Sequence, residues 1–224
     1  MTDDKVVLVG VDGSPESFGA VDWAVARAAL RGWRVHLLCA YSLPSFTTAS
    51  LDGGYAVLDD TAIRSGAQAV LDEAVARARD KDVRVTSSLE TGDPAGVLVD
   101  LSKQSVLTVV GTRGGGGFAD RLLGTVSSAL PAHSHCPTVV VPRHTEGAEF
   151  TPVRRIVVGV DGSSSARKAL AWAVEEAEAW DAEVTAIAAV PMATGAGVLA
   201  WLPAAVDREQ VITKIGRASC RERV

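Results

Sequence analysis

The chain of 224 residues predicts an α/β protein: a five-stranded parallel sheet with helices on both faces, followed by a partial second copy of the same unit. Three observations carry that prediction. Apolar runs of strand length alternate with longer segments whose apolar residues return at helical spacing. The runs are apolar throughout rather than at every other position, as strands buried on both faces are. Finally, "GVDGSPESFGAVDWAVARA" (10–28) reappears as "GVDGSSSARKALAWAVEEA" (159–177) at a constant offset of 149, from Asp12 to Asp161. Solenoid repeats have periods of about 20–50 residues, so this spacing indicates duplicated domains.

In order along the chain, Val6–Val11 is the first strand and runs into Asp12-Gly13-Ser14. Ser14-Pro15 then opens a helix whose apolar face carries Ala20, Trp23 and Ala24. Val35–Tyr41 is the second strand. A polar, glycine-containing stretch (42–58) precedes a helical pattern over about 59–80, with Ala62, Gly66, Ala69, Val70, Ala74 and Val75 at helix-like spacing. Val83–Leu89 is the third strand, Thr91-Gly92-Asp93-Pro94 a turn, and Val97, Leu98 and Leu101 mark a short helix. Val106–Val110 is the fourth strand. A glycine loop, a helix over 125–133 and a last strand, Thr138–Val141, complete the unit. Residues 1–144 thus read as one domain and 145–154 as a linker. Residues 155–213 read as a second copy that carries counterparts of only the first two strands, Ile156–Val160 and Val184–Val190. The terminal "KIGRASCRERV" (214–224) has no periodicity and reads as a non-native or disordered tail.

Bulk composition excludes several function classes. A net charge of −5 argues against non-specific binding to nucleic acid or anionic membrane, which want a basic face. No run approaches the roughly 18 apolar residues of a membrane span, and the acidic start lacks the layout of a secretory signal. A cytoplasmic location is the expectation. Three cysteines without a C-x-x-C suggest neither a disulfide framework nor a zinc site.

The chemistry concentrates in "GTRGGGGFADRLLGTVSS" (111–128), which places six glycines on eighteen positions behind a buried strand. Glycine admits positive φ and lets a ligand approach the backbone with no Cβ in the way. The helix that follows adds unpaired N–H groups and the positive end of its dipole. Together these make a phosphate cradle, to which Thr125, Ser127 and Ser128 can add hydroxyls and Arg113 and Arg121 positive charge. Walker A is excluded, since no lysine lies between 104 and 153. The Rossmann fingerprint belongs after a first strand, and this loop follows the fourth. The spacing is G-x-x-G, nine residues, then G-[ST], set by Gly111, Gly114, Gly124 and Thr125.

That spacing, with V-D-G-S after the first strand and "HCPTVVVP" closing the domain, resembles the universal stress protein family, in its ATP-binding, tandem-domain form. The resemblance implies a Rossmann-like, adenine nucleotide alpha hydrolase-like sheet with ATP, with or without Mg2+, at the carboxyl ends of strands one and four. It implies that Gly10 and Asp12 border the nucleoside and that Ala40 lies near the adenine. Gly111, Thr112, Arg113, Gly114, Gly115, Gly116 and Gly117 would wrap the ribose and phosphates, and Arg121, Gly124, Thr125, Val126 and Ser127 would finish the phosphate site. It further implies a regulatory role governed by ATP, with an unspecified protein partner and homodimers paired through the fifth strand. Only Gly159, Asp161 and Ala189 of the second copy have counterparts, so one ATP per chain is expected.

Competing readings remain at single residues. Asp12 can orient a ligand or cap the following helix. His133, His135 and Cys136 match no standard zinc spacing, His36 reads as structural, and Trp23 and Trp172 read as core. No nucleophile elbow, H-E-x-x-H or Ser/His/Asp order is present, and no residue is evident to position water for ATP hydrolysis. A binding protein is therefore expected rather than an enzyme. The alternatives are an ATP-dependent adenylating synthetase, whose S-G-G-x-D-S loop V-D-G-S-P-E-S does not reproduce, and a nucleotide-free interaction module.

Overall fold

The computed structural model describes residues 5–42, 60–79, 81–114, 123–143 and 150–189. The chain divides into two compact units, 1–151 and 152–224. In the first, β1 (Val6–Gly10), β2 (Arg34–Tyr41), β3 (Val85–Thr91), β4 (Leu107–Gly111) and β5 (Thr138–Val141) form one sheet. Its order is β3-β2-β1-β4-β5, parallel throughout. The interleaved helices are α1 (Pro15–Arg31), α2 (Asp60–Ala78), α3 (Pro94–Ser102) and α4 (Thr125–His133).

Strand alternation divides the core. Val7, Val9, Val35, Leu37 and Val109 are fully buried on one face, where α1 contributes Ala20, Val21, Ala24 and Ala28 and α2 contributes Leu71, Ala74 and Ala78. Leu8, Leu38 and Val110 point the other way and pack with Leu98 of α3 and Leu130 of α4. Each fully buried aliphatic side chain of this kind contributes roughly 1.5–3 kcal/mol.

Local chemistry sets the helix ends. Ser17 N–H donates to the Ser14 hydroxyl at the N-cap of α1 (3.2 Å), Pro15 occupies its first turn, and Gly32 ends it at φ 65°. Asp93 caps α3 by accepting from Gly96 N–H at 2.8 Å. Helix α2 forms where its spacing predicts, and of the residues that keep the spacing Ala74 is buried, with Leu71 and Ala78, while Ala62, Gly66 and Ala69 are exposed. Alanine and glycine fit either face of a helix, so small residues misplace the apolar stripe. Arg77 ties this helix to α1 through a two-pronged pair with Asp22 (2.8 and 2.5 Å). Half-exposed, that pair contributes no more than about 1 kcal/mol.

His36 of β2 lies between two hydroxyls of β3, Nδ1 at 2.9 Å from Thr86 Oγ1 and Nε2 at 3.0 Å from Ser88 Oγ. A neutral ring satisfies both, donating from one nitrogen and accepting at the other. Burial, reinforced by Arg34 and opposed by Glu90, lowers its pKa below the usual 6.5. A depressed folded-state pKa means that the stabilisation is complete above the unfolded value and is lost as pH falls through the folded one. Chemical denaturation from pH 7.5 to 5 is expected to show a steeper loss of stability than in His36→Gln; parallel curves would exclude the effect.

The second unit contains β6 (Arg155–Gly159), α5 (Ser164–Trp180) and β7 (Glu183–Ile187), with β6 and β7 paired in parallel. Its Asp-Gly-Ser turn copies that of the first: Gly162 and Gly13 share φ 82°, and Ser163 caps α5 by accepting from Ala166 N–H at 3.0 Å. Asp181 takes the left-handed position that Gly32 holds, at φ 54°, which aspartate tolerates better than most residues. Burial is not copied. Leu8 is 1% exposed and its counterpart Val157 57%; Leu38 is 1% exposed and Ile187 53%. Among the described residues of this unit, nothing stands where α3, α4 and β4 stand in the first. No helix of the described residues is long and apolar enough to cross a membrane.

Candidate functional site

In the first unit β1 leads toward β2 while β4 leads toward β5, so the connections after β1 and β4 leave in opposite directions. A crevice opens at such a switch point, beyond the carboxyl ends of the strands. It holds a cavity of about 390 Å³. Its floor is Leu38, Leu98 and Val110, one side is Gly10–Asp12 with Ala40 and Pro94, and the other is Gly111–Gly114 facing Leu123–Ser127.

Of the residues singled out from the sequence, Gly10, Asp12, Ala40, Gly111, Thr112, Arg113, Gly114, Gly124, Thr125, Val126 and Ser127 line this cavity. Gly115, Gly116, Gly117 and Arg121 lie outside the described residues. Val11, Ser17, Leu38, Pro94, Leu98, Val110 and Leu123 line it without having been singled out. A usable signal existed for Pro94: the Thr91–Pro94 turn follows β3 at the same carboxyl edge of the sheet. The aliphatic floor has no such signal, because a leucine facing a ligand looks like a leucine facing a helix.

The glycines divide by task. A Cβ on Gly10 would meet Leu98 Cδ1 at 3.0 Å and Val110 Cγ1 at 3.1 Å, so its bareness lets these two side chains pack close to the end of β1 beneath the cavity. A Cβ on Gly111 would lie 2.7–2.9 Å from the Glu16 backbone and Cβ. Gly111 therefore serves the seating of α1 against β4, a packing role beside the ligand role expected of it. Gly114 is different: its missing Cβ leaves the space that the Asp12 carboxylate occupies.

Asp12 does not cap α1, whose N-cap is Ser14, but it braces that cap. Its Oδ1 accepts from Ser14 N–H (3.1 Å) and Ser14 Oγ–H (2.6 Å), which organises the helix start, while the residue still lines the cavity. The hydroxyls beyond the loop are committed inward. Ser127 Oγ donates to Thr112 O (2.7 Å) and accepts from Gly124 N–H (2.9 Å), and Ser128 Oγ donates to Gly124 O (2.7 Å). Each hydroxyl has one proton, so Ser127 and Ser128 stitch the loop closed instead of donating to an anion.

What faces the cavity is the start of α4. Glycine at its N-cap supplies no side-chain hydrogen bond, whereas Ser14, Asp93 and Ser163 cap α1, α3 and α5. Among the described residues no N-cap side chain covers the positive end of the α4 dipole beside Thr125 and Val126 in the cavity wall, a geometry suited to an anion. Cys136 Sγ lies 3.2 Å from Thr108 Oγ1, and among the described residues no group of three or more His, Cys, Asp or Glu could hold a metal ion.

Comparison with known proteins agrees with this architecture. The sequence profile of the "Universal stress protein family" matches residues 5–142 and 152–218. "Universal stress protein Rv2623" of Mycobacterium tuberculosis is 34% identical over 192 residues, covering 81% of this chain and 62% of the relative. The chain therefore spans less than two thirds of that relative's length. A universal stress protein structure from Archaeoglobus fulgidus superimposes over 99% of this chain and 76% of its own, with TM-score 0.71 and 18% identity, which bears on the fold alone. A solved universal stress protein in complex with cAMP is 27% identical over 62% of this chain and 98% of its own, with TM-score 0.49. With its profile matched in both units and its sheet built in the same way, the chain belongs to the universal stress protein family.

Proposed function

We propose that the cavity of the first unit binds an adenine nucleotide, ATP foremost, and that the protein acts as a nucleotide-dependent regulator and not as an enzyme. The observation that carries this reading is the start of α4, which takes no side-chain cap from its Gly124 N-cap, seated beside Thr112 and Arg113 in the wall of a cavity also lined by Leu38, Leu98 and Val110. The aliphatic lining suits a base and the helix amides suit phosphates. A volume of about 390 Å³ falls within the roughly 300–1,000 Å³ of small-molecule sites. Asp12 is the one carboxylate lining the cavity among the described residues, so a Mg2+ arriving with ATP would find a single protein carboxylate there, beside phosphates and water. That carboxylate is held by Ser14, which suits it poorly to activating water and favours binding over turnover.

Strand β5 is one edge of the sheet, and its Thr138–Val141 run is the surface assigned to pairing with a second copy. Isothermal titration of the full chain with MgATP is expected to give one site per chain. At about 100 times Kd, ATP should stabilise the first unit by about 2.7 kcal/mol in thermal unfolding. Sedimentation velocity with and without ATP checks the regulatory part as a shift in association state. No heat and no thermal shift at millimolar ATP would remove the reading, and two sites per chain would contradict the lack of a second glycine loop.

A further inference from the structure

Two segments 99 positions apart in sequence meet at the cavity wall through one hydroxyl. Ser14, 6% exposed, gives its proton chiefly to Asp12 Oδ1 at 2.6 Å, and the same oxygen lies 3.3 Å from the carbonyl of Arg113. It also receives Ser17 N–H as the cap of α1. One residue further along the loop, the backbone of Gly114 rests on the carboxylate that Ser14 holds. We propose that Ser14 is a positioning residue. It locks Asp12 in one orientation and, together with it, seats Arg113 and Gly114 on the turn after β1, so that the start of the glycine loop is in place before a nucleotide arrives. For affinity this rests on the nucleotide reading above. The seating itself does not.

The second unit separates this task from helix capping. Ser163 repeats the cap on α5, and its N–H donates to Asp161 Oδ1 at 2.9 Å as Ser14 N–H does to Asp12. Among the described residues nothing rests on this turn as the glycine loop does on the first: a Cβ on Gly162 or Gly159 would meet nothing within 4 Å. The Asp-Gly-Ser turn and its cap form without a loop to hold. The approach of Ser14 to Arg113 is thus additional to what the cap needs.

The peptide bond after Arg113 carries the very carbonyl that Ser14 approaches, so trypsin reads the seating directly. Cleavage there tracks how often the loop start opens. In the ligand-free full chain, Ser14→Ala and Ser14→Gly are expected to raise the rate of cleavage at Arg113 by about three- to tenfold, the effect of losing the Ser14–Asp12 hydrogen bond that fixes the carboxylate beside Gly114. Glycine is included because it keeps most of the stability of an N-cap while removing the hydroxyl. Ser14→Thr, which keeps the hydroxyl, should restore the wild-type rate, and Ser163→Ala should leave cleavage at Arg113 unchanged. The Kd for MgATP should rise by a similar factor in Ser14→Gly and return in Ser14→Thr. Wild-type cleavage at Arg113 in Ser14→Gly would overturn the proposal. If wild type binds no ATP while the cleavage pattern holds, the nucleotide reading falls and the seating stands.

Discussion

Replacing Gly111 by alanine is expected to destabilise the first unit by about 3 kcal/mol, at the upper end of what inserting a methyl group into a packed core costs. The new Cβ would lie 2.7 Å from the Glu16 carbonyl carbon and 2.9 Å from its oxygen, closer than real Cβ atoms come to other atoms. Neither side can yield cheaply. Gly111 ends a strand hydrogen-bonded to its neighbours, and Glu16 lies in the capped first turn of α1. Relief requires α1 to move away from the sheet, uncovering Ala20, Ala24 and their partners. At roughly 2–4 °C per kcal/mol, Tm should fall by about 6–12 °C. The same substitution at Gly66, exposed in α2 with nothing within 4 Å, should instead stabilise by up to about 1 kcal/mol through helix propensity. Calorimetry of both variants decides the matter: a Gly111→Ala protein melting within 2 °C of wild type would show that the contact is soft.

Three residues on, Gly114→Ala is expected to act on binding instead. Its Cβ would land on the Asp12 carboxylate, and that carboxylate cannot turn aside without giving up Ser14 N–H and Ser14 Oγ–H on its other oxygen. The loop start lifts from the turn, and the amides facing the cavity separate. Nothing in the hydrophobic core touches this position, so the ligand-free Tm should move by less than about 2 °C. The Kd for MgATP should rise tenfold or more, a loss of about 1.4 kcal/mol or greater. Titration calorimetry paired with unfolding measures both. Unchanged affinity would mean that the loop start makes no contact that binding depends on. Gly111→Ala is thus a stability variant and Gly114→Ala a binding variant, though the two glycines belong to one motif.

Much of the fold was legible because it is written in local patterns. Strand and helix order, the helix start at Ser14, the turn at Thr91–Pro94 and the repeat at Asp161 follow from periodicity and turn chemistry within a few residues of each position. Boundaries moved by one to three residues: β3 begins at Val85 rather than Val83, and β4 ends on Gly111 rather than Val110. The helix α2 was legible but its buried face was not, because Ala62, Gly66 and Ala69 are small enough to sit in water or in a core without preference. The glycine spacing drew attention to 111–127, and the described residues of that stretch gather at one cavity.

The sequence by itself determined the alternation of strands and helices, the duplicated unit and the location of the glycine loop, since each depends on residues close together along the chain. Tertiary structure alone decided what the individual groups do. It turned the Ser127 and Ser128 hydroxyls inward and brought Leu38, Pro94 and Leu98 into the cavity wall. It gave Gly111 to a helix and Gly114 to a carboxylate. The physical reason is that a missing Cβ matters only through the atom that fills its place, and here those atoms belong to Glu16 and Asp12, which come near the loop only when β4 is laid beside β1.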